Sequence, residues 1–202
     1  MSNKIVHIIG NGKSASMFDQ KQPGIRITCN LPPFAIENVF TTCMVDFKMM
    51  KAIQHGGVVV PGNWVLGARP KIHMEQNPSF YMKHAAQIRG FHLALPKYCP
   101  NYTDWNCGHM ATHYGATKFE PEIMHLYGFN SIFDFDMTSS TDMFLESDRG
   151  ANNNNRLANN WRNVWPNLFK EFPNTEFVLY HKHNNIKINL PDNVRIIARG
   201  KK

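Results

Sequence analysis

No apolar run in the chain reaches the ~18 residues that a membrane-spanning helix needs. The first apolar stretch, Ile5–Ile9, is cut short by Gly10-Asn11-Gly12. A secretory signal would carry a longer apolar stretch and a small-residue cleavage site. The expectation is therefore a buried first strand and a cytoplasmic protein without a membrane span. Cysteine is sparse: Cys29, Cys43, Cys99 and Cys107 are widely spaced and form no CxxC pair. That argues against a zinc ribbon or a redox motif and predicts free thiols, mostly buried. Internal repeats and linkers are also missing, so residues 1–202 are expected to form a single nucleotide-binding domain. Long basic runs are absent too, although the net charge is +7. Dispersed positive charge suits an anionic partner: a nucleotide, a phosphosugar, or nucleic acid on a basic surface. With 43% hydrophobic and 18% charged residues, the chain has the composition of a packed domain and not of a disordered one.

The remaining pattern alternates strands with helices. Lys4–Ile9 is a β-branched run that stops at a glycine, as buried parallel strands do. Lys13–Phe18 can begin a short helix. Ile25–Thr28, Val39–Val45, Val58–Val60 and Lys71–Met74 read as further strands, with a helical turn at Phe47–Ile53. Pro78–Arg89 has helical spacing. Asn106–Lys118 is the best central helix, with Gly108, Ala111, Thr112, Gly115 and Ala116 as small residues for close approach. Glu122–Tyr127, Glu176–His181 and Val194–Ala198 complete the strands. Arg156–Phe172 is amphipathic, with Leu157, Trp161, Val164, Trp165, Leu168 and Phe169 on one face. Residues 134–155 form the most polar segment. This order predicts an α/β fold with a mostly parallel sheet between two helical layers.

The segment Gly10-Asn11-Gly12-Lys13-Ser14 takes the chain from a strand into a helix. Helix N-termini present free N–H groups and a positive dipole end, which suit phosphate. The loop is neither GxxxxGK[ST] nor a full GxGxxG fingerprint with its later acidic residue. In open α/β sheets ligands bind outside the carboxyl ends of the strands. Cys29-Asn30, Asp46 and Asn130-Ser131 fall at such ends, and Asn106-Cys107-Gly108 opens the central helix.

In these motifs the chain resembles the bacterial lipooligosaccharide sialyltransferases, which use CMP-sialic acid on a Rossmann-like glycosyltransferase fold. Their GNGPS loop is similar to Gly10–Ser14, with Lys13 in place of proline. Their Cys-Asn after the second strand is similar to Cys29-Asn30. Asp46 stands where a nucleotide-contacting Asn would fall. Their Ser-Gly helix start is similar to Asn106-Cys107-Gly108, and their Gly-Ile-Asp-Phe-Tyr to Gly128-Phe129-Asn130-Ser131. Short bacteriophage proteins of this type are similar in size, which implies a host-cell cytoplasm. The resemblance implies a Rossmann-like three-layer sandwich and a nucleotide-sugar-dependent transferase with a CMP-type donor and no required cofactor. It implies nucleotide binding by Gly10, Asn11, Gly12, Ser14, Asn30, Asp46, Asn106, Cys107, Gly108 and Asn130. The family carries a general-base His and tyrosines on a lid, and residues 134–155 contain neither residue type. The alternatives are a non-catalytic nucleotide- or nucleic-acid-binding protein and a nucleotide hydrolase.

Other residues offer chemistry. His181 and His183 follow a strand on the same side, and imidazole titrates near neutrality, as a general base must. Asp148 is an acceptor-activating base candidate, and Arg149 can clamp a phosphate bidentately. His109 and His113, spaced i, i+4, share a helix face. With Cys107 or Asp134 they would be a zinc set, but ligand-facing or packing roles fit better, and no metal is expected. Trp64, Arg69, Lys71, Tyr98, Tyr102 and Trp105 mix aromatic and basic types that stack on bases or pack.

Overall fold

The computed structural model describes residues 4–133, 151–186 and 188–199, with the backbone alone for 151–159. Its strands are β1 (Ile5–Ile9), β2 (Ile25–Cys29), β3 (Val39–Met44), β4 (Trp64–Leu66), β5 (Ile88–Phe91), β6 (Ile123–Tyr127), β7 (Glu176–His181) and β8 (Val194–Ala198). They form one sheet in the order β5-β4-β3-β2-β1-β6-β7-β8, and every pairing is parallel. The helices are α1 (Phe47–Gln54), α2 (Ala68–Gln76), α3 (Pro78–His84), α4 (Cys107–Phe119) and α5 (Ala151–Glu171), with a 3-10 turn at Lys13–Met17. This is a layered α/β fold of the Rossmann-like kind. Among the described residues no helix is long and apolar enough to cross a membrane.

Strand alternation sorts the core onto two faces. Val6, Ile8, Ile27 and Leu126 pack with Met110, Ala111, Trp165 and Phe169 of α4 and α5. Ile9 turns to the other face and joins Ala15, Phe18, Val178 and Tyr180. On that second face Met44, Trp64 and Leu66 pack with Met49, Met50, Met74 and Phe80 of α1, α2 and α3. Gly115 brings α4 close to the sheet. A Cβ there would lie 3.2 to 3.3 Å from side-chain atoms of Ile27, Met124 and Ile8, tighter than ordinary contact.

Two expected strands are corrected. Val58–Val60 is not a strand; β4 lies at Trp64–Leu66. Pro61 has no N–H for a ladder, and the Val60 carbonyl accepts instead from the Trp64 indole at 3.1 Å and the Gln87 amide at 3.2 Å. Lys71–Met74 lies inside α2, whose buried residues Pro70, His73 and Met74 follow helical spacing. The helical stretch from Pro78 stops at His84, and Ile88–Phe91 becomes the edge strand β5.

The chain runs outward from β1 through β2, β3 and β4 to β5, then returns over the sheet through α4 to β6 on the other side of β1. Strand order therefore reverses between β1 and β6. In open parallel sheets such a switch point leaves a crevice at the carboxyl ends of the strands, and the Gly10–Ser14 loop leaves β1 there.

Candidate functional site

The loop after β1 is tied to the loop after β6. Gly10 N–H donates to Tyr127 O at 2.7 Å, and Gly12 N–H donates to Gly128 O at 2.9 Å. A Cβ on Gly12 would lie 2.6 Å from Gly128 O and 2.8 Å from Asn130 Oδ1, so only glycine lets the loops close this far. Gly128 itself sits at φ +80°, a conformation that disfavours a side chain. The Ser14 hydroxyl donates to Asn130 Oδ1 at 2.7 Å and accepts from Gly128 N–H at 3.1 Å. On the other side the Asn11 amide donates to Cys29 O at 2.8 Å and to Leu31 O. Asn11, Ser14 and Asn130 thus brace the crevice through the ends of β1, β2 and β6.

Asn30 sits at the end of β2 with φ +48°, which asparagine tolerates better than most residues. It is 8% exposed, and its Oδ1 is buried with no hydrogen-bond partner among the described residues. Leaving a buried acceptor unmatched costs ~1–3 kcal/mol. Its own N–H donates to Cys43 O at 3.0 Å, which pins the backbone.

The start of α4 closes the crevice. The Asn106 side chain accepts from His109 N–H at 2.9 Å, and His109 Nδ1 accepts from Asn106 N–H at 3.1 Å. This reciprocal capping box commits the Asn106 side chain to its helix. His109 Nε2, which must then carry the proton, donates to Trp161 O at 3.0 Å. Burial holds this imidazole down to about 3, so it is neutral. The Cys107 thiol donates to Cys43 O at 2.9 Å, and that of Cys29 to Cys107 O at 3.7 Å. Burial pushes the Cys107 and Cys43 thiols well up, so they are packing groups and not thiolates. All four cysteines are free and buried. Above Gly108 lies the Phe129 ring: a Cβ on Gly108 would collide with Phe129 Cε1 and lie 2.8 Å from Cδ1. The same ring is 3.0 Å from a Cβ position on Gly10. Phe129 is half-buried, packed over Gly10 and Gly108 and edge-on to Trp165 at 5.4 Å. Sequence reading passed over it, because nothing in the spacing sets it apart from the core phenylalanines.

Asp46 lies between β3 and α1 and makes an ion pair of 3.0 Å with Arg69, whose other nitrogen donates to Tyr102 O at 2.7 Å. A small cleft of about 10 Å³, room for roughly one water, opens beside this pair at the carboxyl ends of β3, β4 and β5, lined by Val45, Gly67, Arg69, His92, Tyr102 and Trp105. Trp64 is fully buried and Lys71 pairs with Glu75, so those two belong to packing and surface. Arg69, Tyr102 and Trp105 are brought together as aromatic and basic neighbours.

His181 ends β7 and His183 follows it; the two share a side, with ring centroids 4.5 Å apart. His181 is 1% exposed, its ring stacked on Phe133 at 4.2 Å. Asp148 and Arg149 lie outside the described residues, as does most of the 134–155 segment; its last residues open α5. His109 and His113 point to different partners: His113 reaches His92 and Glu171. Among the described residues no group of three His, Cys, Asp or Glu side chains is placed to hold a metal. Comparison with known families, known proteins and solved structures finds no match to this chain.

Proposed function

We propose that the chain binds a nucleotide or nucleotide-sugar in the crevice where strand order reverses between β1 and β6. The observation that carries this reading is the buried, unmatched Oδ1 of Asn30 at the end of β2. Such an acceptor is completed by a donor from a ligand: the exocyclic amine of a base, or a ribose hydroxyl. The Gly10–Ser14 loop and the start of α4 frame the phosphate side, where N–H groups at a helix start favour an anion. The net charge of +7 favours the same class of ligand. Group transfer from a CMP-type nucleotide-sugar is the reaction that the sialyltransferase resemblance adds to this binding site.

A thermal-shift screen against CMP, AMP, GMP, UMP, their sugar conjugates and short DNA tests the reading. Stabilisation by a nucleotide, lost in Asn11→Ala, supports it. A shift with DNA alone that fades as salt rises replaces it with nucleic-acid binding on the basic surface.

A further inference from the structure

One carbonyl ties three elements of the crevice together. Cys43 O, next to last in β3, accepts from the Asn30 N–H at 3.0 Å and from the Cys107 thiol at 2.9 Å. A carbonyl oxygen has two lone pairs, so both donors are served at once. Asn30 follows β2, and Cys107 is the first residue of α4. The Cys29 thiol crosses the same gap to Cys107 O at 3.7 Å, and Cys29 stands opposite Cys43 in the β2–β3 register. From the β1 side the Asn11 amide donates to Cys29 O and Leu31 O, the carbonyls before and after Asn30. The Asn30 backbone is thus held at φ +48° from both sides, and its link to α4 runs through Cys107.

We propose that Cys107 is a positioning residue for base recognition: its thiol fixes the spacing between the start of α4 and the end of β2, and so holds the Asn30 side chain where a base amine meets its Oδ1. The proposal rests on the nucleotide reading for its ligand, and on the bonds to Cys43 O for its mechanics. Cys107 acts through Asn30. The residue is buried, and burial, with Cys29 as a lesser cause, pushes its thiol well up. The sulfur therefore keeps the proton that it donates to Cys43 O.

Removing the thiol has a signature that general loosening lacks. Cys107→Ala leaves Cys43 O its bond from the Asn30 N–H, so no buried acceptor is stranded. What is lost is the tie to α4, and Asn30 gains room to turn its amide away from the base. Affinity falls for a nucleotide whose exocyclic amine meets the Asn30 acceptor and stays the same for one without that amine. A purely structural loss weakens both alike. Cys107→Ser returns a donor at the same Cβ and restores the tie.

The test has two readouts on the full chain. The first is calorimetric titration of CMP and UMP into the parent, Cys107→Ala and Cys107→Ser. In Cys107→Ala the CMP affinity is expected to fall about three- to tenfold, the worth of one hydrogen bond, with UMP affinity unchanged. Cys107→Ser is expected to regain most of the preference. The second readout needs no nucleotide: NMR hydrogen exchange of the Asn30 N–H. It is expected to run about tenfold faster in Cys107→Ala, as local opening becomes easier, and at the parent rate in Cys107→Ser. A parent without CMP preference sinks the nucleotide reading, and the exchange rates then support or overturn the positioning role by themselves. Equal losses for CMP and UMP in Cys107→Ala, or an Asn30 N–H indifferent to that change, overturn the proposal.

Discussion

Ser14 and Asn130, 116 positions apart in the chain, are joined by a hydrogen bond of 2.7 Å that couples the loop after β1 to the loop after β6. Gly128 N–H donates to the same hydroxyl, so one side chain satisfies two buried groups. Ser14→Ala leaves a donor and part of an acceptor unmatched. A loss of ~1–3 kcal/mol is expected from chemical denaturation, with nucleotide affinity falling as well because the crevice walls loosen. A variant as stable as the parent would show that the two loops are held by their backbone bonds alone.

Gly108 is small because Phe129 lies on it. Gly108→Ala drives a methyl into the ring, and overpacking of this kind costs ~1–3 kcal/mol. Adding Phe129→Leu should recover part of that loss, since neighbouring sites in contact are not additive. Equal losses with and without the second change would contradict the placement of the ring.

Acid weakens the fold through histidines that are buried neutral. An unfolded imidazole titrates near 6.5. His109 is held down to about 3 by burial, and His125 to about 4 by burial with His7 as a lesser cause. His7, stacked on His125 at 5.0 Å, is lowered too, chiefly by burial. The unfolded chain therefore binds protons that the native one refuses, and stability falls as pH drops from about 6.5 towards 4. Above 6.5 these groups add no pH dependence. Urea midpoints at pH 7 and pH 4.5 check this. His109→Gln should show a smaller drop between the two pH values than the parent, despite a lower midpoint at pH 7. An equal drop would mean that His109 titrates normally.

The fold was legible where one strong signal dominated. Ile5–Ile9, Glu176–His181 and Val194–Ala198 are β-branched or aromatic runs bounded by turn residues, and they are strands. Val58–Val60 misled because apolar content outweighed Gly57 and Pro61 in the reading. Val59 is 82% exposed, while the strand begins at Trp64. Lys71–Met74 is too short for a period of 2 to be told from one of 3.6. At the site, the β1 loop, Asn30 and the start of α4 were placed at the right edge of the sheet by strand-end logic alone. What stayed hidden were cross-chain relationships. His92, His113 and Glu171 come from a loop, α4 and the end of α5, and spacing pairs His113 with His109 instead. The internal bonds of Asn11, Ser14 and Asn130 are equally invisible without the register of β1 against β6.

Asn30→Gly is the variant that separates binding from folding. Glycine accepts φ +48° at no steric cost, and the change removes a buried acceptor without a partner. The free protein should be as stable as the parent or more so. The direct measurement is calorimetric titration of parent and Asn30→Gly with CMP and UMP, whose bases differ in an exocyclic amine. The predicted result is that the parent binds CMP at least tenfold more tightly than UMP, and that Asn30→Gly loses this preference while keeping its melting temperature. Equal affinities in the parent, or an unchanged preference in the variant, would contradict the assignment of Asn30 as the acceptor of a base amine.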